Sequence, residues 1–193
     1  MMVAIIDYDA GNVRSLQFAL ERLGVASILT ADPEKIKAAD NVIFPGQGAA
    51  APAMRKLQDN GLDILIPQLT QPVLGICLGM QLLCDATDEG NVACLGIIPG
   101  KVQRFSNKVK VPQMGWNSIS NLQTPLFKGI NEDDFMYLVH SYYVPLCDAT
   151  IAQSDYDGPY SVALQKANFY GVQFHPEKSS KAGSQLLQNF LAL

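Results

Sequence analysis

Residues 72–81 read PVLGICLGMQ, an apolar run that leads directly into a cysteine held between two glycines. The run 72–76 predicts a buried strand, and the residues after it predict the start of a helix. A strand that turns sharply into a helix at such a motif is the geometry of a nucleophile elbow, in which the side chain at the turn projects out of the sheet. The stretch therefore predicts an α/β fold with a nucleophile, Cys77, at the end of a strand.

The segments before residue 72 repeat the alternation of strand and helix. Short apolar runs predict further buried strands at 2–6, 25–29 and 41–44. Between the first two runs, apolar side chains three and four positions apart predict an amphipathic helix: Val13, Leu16, Leu20 and Leu23. Asn12 is its predicted N-cap and Gly24 ends it, while Met54 and Leu57 lie in a further helix. This pattern predicts a mostly parallel central sheet with helices on both faces.

After about residue 90 the chain changes to short β-rich segments separated by Gly, Pro and Asn. The segments 101–105, 135–143 and 169–174 predict an antiparallel extension of the central sheet. A last helix is predicted after a cap at Ser179 and Ser180, with one apolar side formed by Leu186, Leu187, Phe190 and Leu191. No repeat, low-complexity tract or linker interrupts the sequence, so we predict one domain, 1–193.

The composition excludes several classes of protein. The 193 residues include 18 acidic and 14 basic side chains, and the formal net charge of -4 argues against general nucleic-acid binding. No apolar run approaches the roughly 20 residues that span a membrane, and the start reads as a strand and not as a signal peptide. The 4 cysteines show no CxxC spacing and there are only 2 histidines, so no zinc site or disulfide framework is predicted. We therefore expect a cytoplasmic protein without a metal or cofactor.

The basic side chains are unevenly distributed. Residues 90–131 contain no Asp or Glu but hold five basic residues: Lys101, Arg104, Lys108, Lys110 and Lys128. Solvated strand faces and a basic surface that contacts a partner explain this stretch equally well.

Cys77 is the candidate nucleophile. At a helix N-terminus the positive end of the helix dipole favours the thiolate, which is the form that attacks a carbonyl carbon. A lone buried cysteine more often acts as a small apolar side chain, but the flanking Gly75 and Gly79 favour the catalytic interpretation. The other cysteines lack such a context and are expected to be structural: Cys84, Cys94 and Cys147.

A cysteine nucleophile needs a base, and the base needs a group that orients its ring. His175 follows a strand-like segment, and Pro176 fixes a turn that brings Glu177 back beside it. We expect Glu177 to accept from one imidazole nitrogen while the other nitrogen faces Cys77. His140 is the competing base, but it lies within a predicted strand and has no carboxylate in the six residues that follow it. We therefore expect His140 to be structural.

Acyl chemistry also needs donors for the developing oxyanion. The residue after the nucleophile, Leu78, supplies one backbone N–H. The turn formed by Gly46, Gln47 and Gly48 follows the preceding predicted strand. Because ligands gather at the carboxyl ends of parallel strands, this turn is placed to supply the other donor.

The motifs at 75–81 and 175–177 resemble those of the class I glutamine amidotransferase family, whose members hydrolyse the amide of glutamine and deliver ammonia to a synthase. Within that family the chain is similar to the glutaminase subunits of imidazole glycerol phosphate synthase. The similarity runs from the first strand to the last helix, and its specific blocks are MGWN at 114–117 and HPEKS at 175–179. The chain departs from the usual pattern at Gln47, where valine is common, and at Gln113, where histidine is common.

The resemblance implies a flavodoxin-like fold and a role for each matching residue. It makes Cys77 the nucleophile, His175 the base and then the acid, and Glu177 its orienting group. Further residues would hold the substrate L-glutamine: Gln81 through its side chain, and Gly48, Ser141 and Tyr142 through their backbone. The implied partner is the cyclase subunit, in a heterodimer, with neither nucleic acid nor membrane involved. The interface positions would be Asn12, Trp116, Tyr137 and Lys178.

Three other functions remain open on the sequence. The chain could be a non-catalytic subunit that kept the fold and the interface, although all three of Cys77, His175 and Glu177 are present. It could be a glutaminase that serves a different synthase. A peptidase-type cysteine hydrolase is the third, and nothing in the sequence indicates an extended substrate groove.

Overall fold

The computed structural model describes residues 1–9 and 13–193. Its strands are β1 (Met2–Ile6), β2 (Ala26–Thr30), β3 (Asn41–Phe44), β4 (Val73–Ile76), β5 (Cys84–Thr87), β6 (Val92–Ala93), β7 (Ile98–Arg104), β8 (Gln113–Ser118), β9 (Phe135–His140), β10 (Tyr142–Tyr143), β11 (Thr150–Asp155), β12 (Pro159–Lys166) and β13 (Phe169–Val172). Its α-helices are α1 (Arg14–Arg22), α2 (Pro33–Ala38), α3 (Ala50–Asp59), α4 (Leu62–Leu65), α5 (Leu78–Leu82) and α6 (Ser180–Leu191).

A seven-stranded sheet in the order β11-β12-β13-β4-β3-β1-β2 forms the centre of the fold. The five strands from β13 to β2 pair in parallel, and β12 and β11 continue the sheet in antiparallel fashion. The predicted mostly parallel sheet with an antiparallel extension is therefore confirmed. The predicted strands 2–6 and 41–44 match β1 and β3, and β2 begins one residue later than predicted.

Two of the segments predicted for the extension lie elsewhere. The segment 101–105 falls largely in β7, which belongs to a four-stranded sheet in the order β10-β7-β5-β6. The segment 135–143 breaks at Ser141 into β9 and β10, and β9 pairs only with β8 in a two-stranded ribbon. The third segment forms β13, which lies in the central sheet, parallel to β4 and antiparallel to β12. The predictions for the first two segments were wrong because alternation identifies a strand but not the strand it pairs with.

The central sheet buries both of its faces. Alternate residues of β1 point to opposite sides, so that Val3 and Ile5 lie in one apolar cluster and Ala4 and Ile6 in the other. The first cluster includes side chains of α1 and α6: Leu16, Leu20, Leu186 and Phe190. The second includes side chains of α2 to α5: Ile36, Met54, Leu57, Leu62 and Met80. The helices therefore cover both faces, as predicted.

The two predicted helix caps have different outcomes. Asn12, the predicted cap of α1, lies outside the described residues. Ser179 does precede α6, but its side chain makes no capping hydrogen bond to the helix. Its hydroxyl instead donates to the carbonyl oxygen of His175 over 2.7 Å and accepts from the Tyr137 N–H over 2.9 Å. The cap prediction was wrong because tertiary partners compete for the hydroxyl.

Across residues 1–9 and 13–193, none of the helices combines the length and the apolar character needed to span a membrane.

Candidate active site

Cys77 lies at the sharp turn between β4 and α5. Its φ of 55° and ψ of -110° are unusual for a residue with a side chain. Its backbone N–H donates to the Val172 carbonyl over 2.8 Å, which ties the turn to β13. The backbone reverses here and leaves the cysteine side chain in a pocket beyond the strand ends.

The glycines around Cys77 allow α5 to lie directly on the sheet. A Cβ on Gly79 would overlap the carbonyl oxygen of Phe44, and one on Gly75 would lie 2.8 Å from the Met80 backbone nitrogen. Both approaches are closer than non-bonded atoms tolerate, so side chains at these two positions would push the helix off the strands. The glycines therefore set the position of Cys77 relative to the neighbouring strand ends.

His175 approaches Cys77 from the segment that follows β13. Its Nδ1 lies 2.9 Å from Oε1 of Glu177, and both side chains are buried. Cys77 and His175 line the same cavity. Burial by itself lowers the pKa of His175, but the hydrogen bonds to Cys77 and Glu177 and the attraction of these two groups outweigh it and raise the pKa above its usual value of 6.5. The site thus favours the protonated ring of His175.

Two glutamines pack behind the cysteine. Gln173 Nε2 lies 3.6 Å from Cys77 Sγ, and Gln173 Oε1 accepts from Gln81 Nε2 over 2.9 Å. The same Gln81 nitrogen donates to the Tyr142 carbonyl over 3.0 Å. Gln173 was missed at the level of sequence. Its signal was a polar residue between Val172 and Phe174 in an otherwise apolar segment.

A cavity of about 440 Å³ opens in front of Cys77 and His175. Most of the residues predicted to bind substrate or oxyanion line it: Gln47, Gly48, Leu78, Gln81, Ser141 and Tyr142. Gly46 lies on the far side of the turn, where the Tyr8 hydroxyl donates to the neighbouring Pro45 carbonyl over 2.7 Å. Lys178, predicted at the partner interface, also lines the cavity. The structure therefore brings the strand ends, the turn and the β9–β10 segment together around one pocket.

His140 borders the same pocket, but its ring is engaged on both sides. Nδ1 lies 2.8 Å from the Tyr142 carbonyl and Nε2 lies 2.9 Å from Gln113 Oε1. Burial lowers the pKa of His140 to about 4, so the ring is neutral near neutral pH. This arrangement agrees with the structural role expected for His140.

The predicted interface residues other than Lys178 lie outside the pocket or beyond the described residues. Trp116 and Tyr137 are cross-strand neighbours on the β8–β9 ribbon, with an edge-on contact between ring centroids 6.0 Å apart. Trp116 is 52% exposed. Asn12 falls in the segment that the structure does not describe.

Part of the basic stretch is neutralised by residues outside it. Lys101 Nζ lies 2.6 Å from Oδ1 of Asp88. The pKa of Asp157 is lowered by its hydrogen bonds with Ser106 and also by the nearby charge of Lys108. These contacts leave open both interpretations of the stretch.

Within the described residues, no group of three or more His, Cys, Asp or Glu side chains is arranged to hold a metal ion. The groups in and behind the pocket that can take part in chemistry include Cys77, His175 and Glu177. Together the fold and the site define a class of protein: α/β enzymes with a cysteine at a strand-to-helix elbow beside a histidine–carboxylate pair.

Comparisons with known proteins narrow this class. The family model described as "Glutamine amidotransferase class-I" matches residues 4–193. The chain is 56% identical to an imidazole glycerol phosphate synthase subunit HisH from Bacteroides fragilis, with 100% of both chains covered. It is 46% identical to the subunit of the same name from Vibrio cholerae, with 99% of this chain and 98% of the relative covered. The chain therefore belongs to the class-I glutamine amidotransferase family and, within it, to the HisH subunits of imidazole glycerol phosphate synthase.

Solved structures support the fold at low sequence identity. PurLQS from Thermotoga maritima has a TM-score of 0.76 at 17% identity, with 99% of this chain and 97% of that chain covered. A glutamine amidotransferase from the same organism has a TM-score of 0.69 at 16% identity, with 98% of this chain and 82% of that chain covered. The fold class predicted from the sequence is thus shared with other members of the family.

Proposed function

We propose that this chain is the glutaminase subunit of imidazole glycerol phosphate synthase. It hydrolyses L-glutamine to glutamate and ammonia, and the ammonia passes to a cyclase subunit that makes imidazole glycerol phosphate and aminoimidazole carboxamide ribonucleotide in histidine biosynthesis. One observation carries the proposal: His175 and the elbow residue Cys77 line one cavity, while Nδ1 of His175 lies 2.9 Å from Glu177. We assign this activity to a single domain, 1–193, in the cytoplasm, in accord with four free thiols.

In the proposed reaction, the Cys77 thiolate attacks the carboxamide carbon of glutamine and a C–S bond forms. His175 gives its proton to the amide nitrogen, the C–N bond breaks, and ammonia leaves. Water then attacks the glutamyl thioester while His175 takes one of its protons. The C–S bond breaks to release glutamate and regenerate the thiolate–imidazolium pair. Glu177 holds the ring in place and stabilises its positive charge.

Two groups of backbone N–H donors suit the oxyanion of both steps. Leu78 begins α5, so its N–H lies at the positive end of the helix dipole and next to the reacting sulfur. The turn 46–48 supplies the second donor, and Gly48 has a φ of 95° that favours glycine. Gln47 is exposed at this turn, so its replacement of valine leaves the backbone donors unchanged.

The exposed face of the β8–β9 ribbon suits the cyclase partner. Met114 and Phe135 are 66% and 58% exposed and flank the Trp116–Tyr137 pair on the same face. A contiguous apolar patch of this kind is typical of a protein interface. Val139, next on this face, contacts the pocket with its carbonyl 3.8 Å from Cys77 Sγ. On this proposal, Trp116, Tyr137, Asn12 and Lys178 contact the cyclase near the exit of the ammonia.

The test is glutamate release from glutamine by the purified chain, alone and in a mixture with the cyclase and the nucleotide substrate of that enzyme. We expect activity to depend on the mixture, because we propose that the turn at 46–48 has an active and an inactive conformation and that the partner favours the active one. Cys77→Ala should abolish it, whereas the matched variant Cys94→Ala should retain it because Cys94 lies outside the pocket. Undiminished activity in Cys77→Ala would contradict the mechanism. A fully active isolated chain would contradict the gating, and turnover only with another synthase would contradict the choice of partner.

A further inference from the structure

Gln173 is buried directly behind the sulfur of Cys77. Its side chain is fully inaccessible to solvent, and its backbone N–H donates to the Val162 carbonyl over 2.8 Å. Its amide nitrogen lies 3.6 Å from Sγ, within the range of N–H···S hydrogen bonds. The residue therefore has a fixed backbone and no alternative solvent partner.

A backbone carbonyl determines which end of the Gln173 amide faces the sulfur. The Tyr142 carbonyl can only accept, so the side-chain group of Gln81 that lies 3.0 Å from it has to be the NH₂. That NH₂ also lies 2.9 Å from Gln173, so the atom of Gln173 there has to be its oxygen. The opposite end of the Gln173 amide, its NH₂, consequently points at Cys77. The orientation of the Gln173 amide therefore follows from the hydrogen bonds that link the Tyr142 carbonyl, Gln81 and Gln173.

We propose that Gln173 is a further catalytic residue, whose amide N–H donates to Cys77 Sγ and stabilises the thiolate that attacks glutamine. This inference rests on the proposed function, in which Cys77 is the nucleophile.

The two polar contacts of Sγ respond in opposite ways when the thiol loses its proton. The Val139 carbonyl, 3.8 Å away, accepts from the thiol and is repelled by the thiolate. The Gln173 N–H makes a stronger hydrogen bond with the thiolate, because a charged acceptor strengthens it. The donor from Gln173 thus offsets the Val139 carbonyl and adds to the stabilisation from His175.

Among the described residues, the other titratable side chains around Cys77 are His175, Glu177 behind it and Tyr8 just after β1. The rest line the pocket: Glu89, His140, Tyr142 and Lys178. Replacing Gln173 by an uncharged side chain removes none of these groups. A change in the pH dependence of Cys77 reactivity therefore reports the lost donor.

The experiment measures alkylation of Cys77 by iodoacetamide as a function of pH, with the modified peptide quantified by mass spectrometry. The thiolate displaces iodide, so the rate follows the thiolate fraction. Gln173→Met keeps the length of the side chain and removes the donor. We expect the midpoint of the pH profile to rise by about one unit, which slows alkylation about tenfold at pH values well below the midpoint. A Gln173→Met protein that melts like the parent and has the parent's profile would overturn the proposal.

Two further variants separate a donor from a packing role. Gln165→Met changes a half-buried glutamine on β12 whose amide bonds to Ala167 and Tyr170, and it should leave the profile unchanged. Gln81→Met keeps Gln173 but removes the group that orients it, so the midpoint should rise by less than in Gln173→Met. If Gln173→Met does not fold, the pH profile of Cys77 alkylation in Gln81→Met tests the proposal instead. A midpoint equal to that of the parent in Gln81→Met then overturns the proposal.

Alkylation needs neither glutamine nor a partner, so the two proposals can fail separately. A shifted profile in a protein that shows no glutaminase activity in any mixture would retain the role of Gln173 as a thiolate donor and reject the proposed function. An unchanged profile in an active glutaminase would reject the role of Gln173 and retain the proposed function.

Discussion

The hydroxyl of Ser179 donates to the backbone carbonyl of His175 over 2.7 Å. The same hydroxyl accepts from the Tyr137 N–H over 2.9 Å, and the His175 N–H donates to the Tyr137 carbonyl over 2.9 Å. Both polar backbone groups of His175 are thereby tied, directly or through one hydroxyl, to the strand that carries Tyr137. On the proposed function, this arrangement links the partner-facing ribbon to the catalytic base.

Ser179→Ala should destabilise the protein by about 1 kcal/mol, because it leaves the partly buried Tyr137 N–H without its acceptor. It should also reduce glutamine turnover, since the backbone of His175 loses a restraint. Urea unfolding and glutamate release measure the two effects. Ser184→Ala, a half-buried serine in α6, is the matched control and should change both by little. Equal stabilities of the two variants would contradict this prediction.

Glu177→Gln should lower glutamine turnover roughly 10²- to 10⁴-fold, since the amide can still accept from His175 but carries no charge to stabilise the imidazolium. The measurement is kcat in the mixture with the cyclase subunit. Because Glu177 raises the pKa of His175, the pH profile of turnover should change as well. Glu21→Gln in α1 is the control, and a Glu177→Gln enzyme as fast as this control would exclude a role for the carboxylate.

Gly79→Ala should cost about 3 kcal/mol or more, because its Cβ would overlap the carbonyl oxygen of Phe44, a backbone atom that cannot move aside. Gly171→Ala is the instructive comparison. Its Cβ would lie 2.7 Å from Cγ of Met80, a side-chain atom that can shift where a backbone carbonyl cannot, so the substitution should cost less than Gly79→Ala, about 1–2 kcal/mol. Thermal or urea unfolding measures the stability of both variants. If Gly171→Ala is the less stable of the two, α5 can shift away from β3 and the prediction is contradicted.

The stability of the protein should fall as the pH decreases from 6.5 toward 4, because His140 is buried as a neutral ring with a pKa of about 4. In this window the unfolded chain binds a proton that the folded chain excludes, so protonation favours unfolding, by at most about 3 kcal/mol. His175 has a raised pKa and is protonated in both states below 6.5, so its stabilisation is present there and is lost only as the pH rises above 6.5.

The measurement is the free energy of unfolding in urea at several pH values. His140→Asn should flatten the slope between pH 6.5 and 4, whereas the parent slope at higher pH, which comes from His175, should persist. A parent protein with the same slope as His140→Asn in the acidic window would contradict the prediction.

Local patterns in the sequence identified much of the fold. Short apolar runs were sufficient to locate the buried strands β1, β3 and β4. The spacing of apolar residues was sufficient to locate the helices α1 and α6, because it reports which face of a helix is buried. They were not sufficient for the β11–β12 hairpin, which was not predicted, or for the partners of β7 and β9. Pairing depends on long-range packing, which a local window does not contain.

By itself, the sequence determined the α/β class, the elbow at Cys77 and the candidates His175 and Glu177, since these depend on motifs a few residues long. Only the tertiary structure decided that Ser179 restrains His175 and that Gln173 faces a sulfur 96 positions away in the chain. The physical reason is that hydrogen bonds form between the donors and acceptors that folding brings within bonding distance, whatever their separation along the chain.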